Sequence, residues 1–344
     1  MIDQLISRGV LPDLVIRKGI QHFIKKRIKE DIGESTRQRD LKRKEFVEQM
    51  PHWPIAIKTD DANDQHYRLP TSFFEEVLGK NLKYSCCHWD QATNLDESED
   101  EMLEITLDRA DIKDGHRILE LGCGWGAITL AMARKFPKSK ITAISNSPEQ
   151  RKFILNRAEK ENLDNVEVLT QNVAELNLDE QFDRVISIEM FEHMRNYPAL
   201  LKNISNLLND GGKLFVHIFV HRDVPYTFDV KDESDWMTKY FFSGGIMPSS
   251  HLLFYFQDDL KMENYWAVEG SHYTKTARAW LDNMDHKKDK LMVILRNHYG
   301  EADALKWFNY WRVFFMSCEE LWRFNKGNEW FIGHYLMTKK ELSK

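Results

Sequence analysis

The feature that most constrains the fold is a regular alternation of strand-like and helix-like segments between about residues 115 and 220. Short apolar runs are separated by stretches with helical spacing, and the turns between them are short. Such alternation specifies a parallel sheet covered by helices. The strand-like runs are RILELG, KITAISNS, VEVLTQNV, FDRVISIEMF and KLFVHIFVH, and the helical ones are AITLAMARKF, PEQRKFILNRAEKENL and YPALLKNISNLL. The sequence therefore predicts an α/β fold, and we expect GHYLMTKKE to rejoin the sheet as a strand.

A basic segment precedes this region. Residues 17–44 carry eleven Lys and Arg against four Asp and Glu. Apolar residues recur here at helical spacing, namely Val15, Ile16, Ile20, Phe23, Ile24 and Ile28. One interpretation is an amphipathic helix packed on the main domain, and the other is contact with an anionic membrane surface. We favour the first, and we divide the chain into a helical extension, 1–66, and a main domain, 67–344.

An aromatic and irregular stretch follows the alternating region, and Gly244-Gly245 and Pro248 interrupt it. Long insertions of this kind in a compact fold are usually functional. We therefore predict that residues 222–275 form a lid over a substrate pocket. The aromatic residues expected to line that pocket are Trp236, Tyr240, Phe241, Phe254 and Trp330.

Composition argues against several other classes of protein. The net charge of -6 and the isoelectric point near 6.1 argue against a general nucleic-acid binder. No apolar run approaches the roughly 18 residues that a membrane helix needs, and MIDQLISRGV lacks the apolar core of a signal peptide. The four cysteines, Cys86, Cys87, Cys123 and Cys318, lack the spacing of a zinc site. We expect a cytoplasmic protein with free thiols and no metal. The sequence does not determine the oligomeric state, and a dimer is one of the options.

A glycine-rich loop, ELGCGWG from Glu120 to Gly126, follows the first strand-like run and opens a helix. Glycines at such a turn let the backbone approach a ligand closely, and the helix N-terminus favours negative charge. The spacing is G-x-G-x-G rather than the dinucleotide pattern G-x-G-x-x-G. The next strand-like run ends at Ser145-Asn146, where a ribose-binding group is expected. We favour a nucleotide-type cofactor site over a simple tight turn.

The stretch SIEMFEHM places Glu189, Glu192 and His193 within five residues, at the predicted C-terminal end of a strand. Ligands bind at these strand ends in open α/β sheets. The pattern E-x-x-E-H differs from the zinc motif H-E-x-x-H, so an acid–base site is favoured over a metal site. A structural role, such as Glu192 capping the following helix, is the alternative.

Several motifs resemble known families. LELGCGWG is similar to motif I of class I S-adenosylmethionine-dependent methyltransferases. YSCCHW, SNSPEQ, IEMFEHM, FVHIF and SHYTKT occur in the order seen in cyclopropane-fatty-acyl-phospholipid synthases. HYRLPTSFFEEVLG, SGGIMPSSHLLFYFQDDL and NKGNEWFIGHYL more closely resemble the coclaurine-type N-methyltransferases of the same superfamily. The resemblance runs from about residue 67 to the C-terminus.

The resemblance implies a Rossmann-like fold with a seven-stranded, mostly parallel sheet, and S-adenosylmethionine as the cofactor. The residues it implies around that cofactor are Tyr84, Ser85, Glu120, Gly122, Gly124, Gly126, Ser145, Asn146, Gln150, Asn172, Val173 and Ile188.

The same resemblance leaves two chemistries open. The first is N-methylation of a small hydrophobic amine, in which Glu189 attracts the cation and Glu192 or His193 takes a proton. The second is cyclopropanation or methylation of an unsaturated fatty acyl phospholipid, in which the double bond attacks the methyl group and bicarbonate is the base. The bicarbonate pocket would consist of Cys86, Glu192, His217 and Tyr273, with the backbone at position 219. We favour N-methylation over the lipid chemistry because SGGIMPSSHLLFYFQDDL more closely resembles the N-methyltransferase branch. A scaffold that only binds the cofactor is disfavoured because IEMFEHM and YSCC are intact.

Overall fold

The structure is a computed structural model that describes residues 2–57, 69–176, 178–229, 236–241 and 244–340. Its strands are β1 (Arg117–Leu121), β2 (Lys140–Ser145), β3 (Val166–Thr170), β4 (Phe182–Ile188), β5 (Leu208–His221), β6 (Tyr226–Thr227), β7 (Ile246–Met247), β8 (Leu260–Val268) and β9 (Trp330–Lys339). Seven of them form one sheet in the order β3-β2-β1-β4-β5-β9-β8. β1 to β5 pair in parallel, and β9 pairs antiparallel with β5 and β8. This confirms the predicted α/β sheet and the strand at GHYLMTKKE.

Helices cover this sheet and precede it. They are α1 (Ile2–Ser7), α2 (Asp13–Arg27), α3 (Thr36–Gln49), α4 (Thr71–Val77), α5 (Leu95–Arg109), α6 (Ala127–Lys135), α7 (Pro148–Lys160), α8 (Tyr197–Leu207), α9 (Trp236–Phe241), α10 (Gly270–His286), α11 (Lys288–Tyr299) and α12 (Glu301–Arg323). The three helical segments predicted within the alternating region correspond to α6, α7 and α8.

The helices α7 and α8 each begin at a residue whose side chain caps the first turn. The Ser147 hydroxyl accepts a hydrogen bond from the Gln150 amide at 3.3 Å, at the start of α7. The Asn196 side chain accepts one from the Ala199 amide at 3.0 Å, at the start of α8. Asn196 therefore caps α8, and Glu192 does not have the capping role considered above.

The predicted lid, 222–275, is only partly an insertion. It contains the antiparallel pair β6 and β7, with α9 between them, whereas 230–235 and 242–243 lie outside the described residues. Its last part belongs to the main domain, because β8 forms the edge of the sheet and α10 begins at Gly270. The predicted boundary was wrong because most residues of β8 are exposed or half-buried, so this strand lacks the apolar run of a central one.

The N-terminal helices pack against the main domain. Ile24 of α2 belongs to the same apolar cluster as Phe314 of α12. The guanidinium of Arg17 lies 2.6 Å from the carboxylate of Glu319 and 2.8 Å from that of Glu320. This packing supports the docked interpretation of the basic segment, although the predicted boundary at 66/67 lies outside the described residues. Within the described ranges, no helix combines the length and apolarity needed to cross a membrane.

Candidate active site

A cleft lies at the C-terminal ends of the parallel strands, and we call it the cofactor cleft. Residues that follow β1, β2 and β3 meet there, because these ends share one edge of the sheet. The predicted cofactor residues that line it are Gly122, Gly124, Ser145, Asn146, Gln150, Asn172 and Val173. Sequence reasoning missed Ile57, Gln171, Met190, Met194, Gly244 and Gly245, which line it as well. Gln171 could have been found from its place beside Asn172.

The glycine loop is tied to β2 and borders open space. The amides of Gly122 and Cys123 donate to the Ile144 carbonyl at 3.1 and 2.9 Å. Gly124 has a φ of +51°, and a Cβ built on it would meet no atom within 4 Å. At Gly126, by contrast, a Cβ would lie 2.7 Å from Ile154. Gly126 therefore allows close packing under the loop. Contrary to the prediction, it does not line the cleft.

A buried amide in the cleft wall suits a polar ligand. Gln150 is 2% exposed, and its Oε1 accepts a hydrogen bond from the Ser145 hydroxyl at 2.7 Å. Its Nε2 has no hydrogen-bond partner in the described part of the chain. Since buried polar groups are nearly always paired, an acceptor on a bound molecule is expected here. Glycine backbone, amides, a hydroxyl and apolar side chains together fit a nucleoside-bearing ligand.

The other predicted cofactor residues lie elsewhere. Glu120 is buried and accepts a hydrogen bond from Thr129 at 2.5 Å, and burial raises the pKa of its carboxyl to about 7. Ser85 is buried, and Ile188 packs in an apolar cluster. Tyr84 lines a second, larger cavity. These residues lie close along the chain to residues that line the cleft, but the sequence does not show in which direction each side chain points.

The larger cavity, which we call the substrate cavity, has a volume of about 1130 Å³. Sites for small molecules usually measure about 300–1,000 Å³. Of the predicted pocket residues, Trp236, Tyr240 and Tyr273 line it. Its lining also includes the aromatic residues Tyr226, Phe228, Trp280, Phe314 and Trp322, which sequence reasoning missed.

One wall of the substrate cavity comes from the N-terminal helices. The apolar residues of this wall are Leu5, Ile6, Leu11, Val15, Ile16, Ile20, Phe23 and Ile24. The helical stripe of α2 was visible in the sequence, but we assigned it only to packing on the main domain. The structure shows that the stripe also borders the cavity.

Glu189 and His193 line both cavities, and Glu192 lines the substrate cavity alone. Three polar groups converge on the Glu189 carboxylate. The Cys86 amide lies 2.9 Å from its Oε1, His217 Nε2 lies 3.3 Å from the same oxygen, and the Tyr273 hydroxyl donates to Oε2 at 2.7 Å. Cys86 and His217 act through these bonds and do not line either cavity.

The backbone of Glu189 is strained, since its φ of +44° is uncommon for a residue other than glycine. Burial raises the pKa of its carboxyl, while the charge of Lys83 and the hydrogen bonds from Cys86 and Tyr273 act in the opposite direction. The surrounding structure therefore holds this carboxylate in one orientation where the two cavities meet.

Glu192 and His193 differ from Glu189 in their partners. Glu192 is 3% exposed, and its Oε2 has no hydrogen-bond partner among the described residues. Burial, together with repulsion from Glu189, raises the pKa of Glu192 well above its ordinary value. A proton shared by the two carboxyls therefore resides on Glu192. Burial lowers the pKa of His193 to about 4, so its imidazole is neutral at pH 7, while the negative charge of Glu189 favours its protonated form.

Three of the aromatic residues predicted to line the pocket do not face the substrate cavity. Phe254 packs against Tyr335, in a different apolar cluster from the one that borders the cavity. Trp330 is buried and donates a hydrogen bond to the hydroxyl of Tyr226 at 3.1 Å, so it supports the wall from behind. Phe241 stacks on an aromatic ring of α12, with 4.4 Å between ring centroids. These predictions were wrong because core and pocket aromatic residues have the same sequence signature.

One group of described residues approaches the geometry of a metal site, namely His88, Asp90 and His272. The Trp89 amide donates to Nδ1 of His272 at 2.9 Å. A neutral His272 then carries its proton on Nε2, the atom that faces Asp90 at 3.8 Å. Because that nitrogen has no lone pair to offer, the group does not fit a metal ion.

The fold and the cofactor cleft define a class I S-adenosylmethionine-dependent methyltransferase. Comparison with known proteins narrows the class: the chain belongs to the mycolic acid cyclopropane synthetase family, whose model matches residues 56–330. The (S)-coclaurine N-methyltransferase of Thalictrum flavum subsp. glaucum is 36% identical over 340 residues, covering 97% of this chain and 94% of that protein. The cyclopropane-fatty-acyl-phospholipid synthase of Escherichia coli K12 is 28% identical over 264 residues, covering 73% of this chain and 66% of that one.

A solved structure supports the same relationship. The crystal structure of a coclaurine N-methyltransferase bound to N-methylheliamine and SAH superposes with a TM-score of 0.95 at 33% identity. It covers 98% of this chain and 99% of the other. The cofactor of this protein is S-adenosylmethionine, of which SAH is the demethylated product.

Proposed function

We propose that the protein transfers a methyl group from S-adenosylmethionine to the nitrogen of a small, hydrophobic, cyclic amine. The observation that supports this most strongly is the position of Glu189 and His193, which line both the cofactor cleft and the substrate cavity. A nitrogen held beside these residues is close to the cofactor cleft. Similarity to coclaurine and pavine N-methyltransferases over 97% of this chain supports an alkaloid-like acceptor.

The cofactor supplies an already activated methyl group, so the protein's task is to bind, orient and deprotonate the acceptor. Aromatic rings of the substrate cavity, such as Trp236 and Tyr240, suit a cationic ring system through cation–π contact. Glu189 attracts the ammonium form, because its carboxylate is buried and opposite charges interact strongly there. We assign Glu189 to binding and orienting the amine.

An ammonium nitrogen has no lone pair, so a proton must leave before the methyl group is accepted. His193 is the candidate base, because its imidazole is neutral and lines both cavities. Because the pKa of Glu192 is raised well above its ordinary value, a proton on this carboxyl must first be displaced before it can accept one from the ammonium. His193 is therefore expected to contribute more to kcat than Glu192, and typical general-base help is about 10²–10⁴-fold.

The lipid chemistry needs donors that hold a bicarbonate ion. Of the residues that resemblance assigns to that pocket, Cys86 and Tyr273 each donate a hydrogen bond to the Glu189 carboxylate, and a ring nitrogen of His217 lies within hydrogen-bonding distance of it. A side-chain carboxylate thus takes the hydrogen bonds that an external anion would require. This geometry favours the amine as acceptor over an unsaturated acyl chain.

Labelled cofactor offered separately to a panel of cyclic amines and to vesicles of unsaturated phospholipid tests the proposal. We expect label in amine products only, without dependence on added bicarbonate. His193→Ala should lower kcat by about 10²-fold or more at pH 7, with a smaller loss at high pH where more amine is neutral. Glu189→Gln should chiefly raise KM for the amine, while Glu161→Gln at the protein surface serves as the control. Label in the phospholipid with none in any amine would refute the proposal.

A further inference from the structure

A row of hydrogen bonds extends from Glu189 across the sheet to an arginine. His217 on β5 and His334 on β9 are cross-strand partners, and His217 Nδ1 lies 2.8 Å from His334 Nε2. The other ring nitrogen of His334, Nδ1, lies 2.9 Å from a guanidinium nitrogen of Arg109, the last residue of α5. At the opposite end, His217 Nε2 lies 3.3 Å from Glu189.

Because arginine only donates hydrogen bonds, it fixes the donor and the acceptor in every hydrogen bond of this row. A guanidinium only donates hydrogen bonds, so His334 Nδ1 must accept. Both histidines are fully buried, and burial lowers the pKa of each well below the ordinary value, so both rings are neutral. His334 then carries its proton on Nε2 and donates to His217 Nδ1. His217 in turn carries its proton on Nε2 and donates to Glu189.

We propose that Arg109 and His334 are positioning residues of the methyl-transfer site, which act through His217 to keep a proton donor directed at Glu189. The proposal rests on the proposed function only in taking Glu189 to be the group that meets the amine. Arg109 is outside both cavities, as is His334, so neither is expected to touch substrate. The row cannot serve as a proton exit, because arginine stays protonated in proteins.

Without the arginine, the tautomers of the two histidines are no longer fixed. His334 is then able to carry its proton on either nitrogen, and in one of the two forms it donates through Nδ1 instead. His217 can then present a lone pair to the Glu189 carboxylate, which places two acceptors opposite each other.

Other titratable groups also surround Glu189, namely Lys83, Cys86, Glu192, His193, Tyr273 and Cys318. Those around His334 are Arg109, His217, Lys83 and His88.

The first test needs no substrate. In the intact protein labelled with ¹⁵N-histidine, the ring nitrogens of His217 should report a single tautomer with the proton on Nε2. Arg109→Met should give a mixture of tautomers, and Arg109→Lys, which still supplies a donor, should restore the single form. Arg134→Met is the control, because Arg134 pairs at the surface with Glu161 and is also in the last turn of a helix.

A second pair of variants keeps the test decisive if Arg109→Met does not fold. His334→Gln can accept from Arg109 through its amide oxygen and donate to His217 through its amide nitrogen, so it should preserve the tautomer. His334→Leu should lose it. Thermal unfolding of each variant shows whether the comparison is made on folded protein.

The kinetic test follows amine methylation against pH. Arg109→Met should lower kcat/KM about tenfold and move its acidic limb upward by about one pH unit, since a donor to a charged group is weakened. Arg109→Lys should recover most of this loss. An unchanged His217 tautomer and an unchanged acidic limb in Arg109→Met would overturn the proposal. A changed tautomer in a protein that methylates no amine would instead refute the proposed function and leave the positioning role standing.

Discussion

The hydrogen bond from Tyr273 to Glu189 can be removed with little other change. Tyr273→Phe deletes the hydroxyl that donates to Oε2 at 2.7 Å. It retains the ring that stacks on Trp322, with 4.7 Å between centroids and 9° between planes. The variant therefore isolates the effect of one donor on the buried carboxylate.

The size of the effect follows from the charge on the acceptor. A hydrogen bond to a charged group is worth about 1.5–3 kcal/mol, and one pKa unit corresponds to about 1.4 kcal/mol. Because the Tyr273 hydroxyl lowers the pKa of Glu189, its removal should raise that pKa by about 1–2 units. Less of Glu189 is then ionised at acidic pH, so activity should begin to fall at a higher pH than in the natural protein.

The assay is kcat/KM for a cyclic amine as a function of pH. We expect the acidic limb of Tyr273→Phe to move upward by about 1–2 pH units, with activity converging on the natural level at high pH. Tyr335→Phe is a matched control, because Tyr335 is buried and its hydroxyl donates to the Ser250 carbonyl at 2.8 Å, outside both cavities. An acidic limb that shifts equally in both variants, or in neither, would contradict the reasoning.

Three further outcomes are expected. Gly124→Val should abolish cofactor binding measured by calorimetry while the fold persists, since φ is +51° and the Cβ would enter the open space of the cleft; an unchanged affinity would argue against this site. The pKa of Glu120 is about 7 in the folded protein, against an ordinary value of 4.5. Its contribution to stability is therefore present below pH 4.5 and is lost as pH rises through 7, a change of about 3 kcal/mol. Glu120→Gln should therefore raise the melting temperature more at pH 8 than at pH 5, and an equal change at both would be inconsistent with a raised pKa. Tyr240→Ala should raise KM for the amine more than Kd for the cofactor, whereas Phe254→Ala should chiefly lower thermal stability; the reverse pattern would show that the cavity lining is misassigned.

The fold could be predicted from sequence because its central strands are buried on both faces. β1, β2 and β4 consist largely of buried residues, so continuous apolar runs mark them clearly. The edge strand β8 lacks so clear a signal and was placed in the lid. The helix α11, in which only Leu291 and Leu295 are buried, was missed. The same logic explains the cofactor cleft: residues such as Gly124 and Asn146 directly follow strands that the pattern identifies.

The contacts behind Glu189 could not be predicted in this way. His334 is 225 residues from Arg109 along the chain, and their hydrogen bond depends on how β9 is placed beside β5. No local pattern links such residues, because the pairing is a property of the assembled sheet. Likewise, a sequence does not show which of two neighbouring aromatic rings faces a cavity, as Tyr240 and Phe241 illustrate.

Because α1 and α2 form a wall of the substrate cavity, acceptor preference and cofactor binding depend in part on different segments of the chain. The residues of this wall lie within the first 31 positions of the chain, whereas the cofactor cleft is lined from residue 57 onward. Exchange or drift of this one contiguous segment can therefore reshape the space available to the acceptor without altering the strand ends that hold the cofactor. In this chain the acceptor space can thus be altered through the first helices, separately from the part of the site that holds the methyl donor.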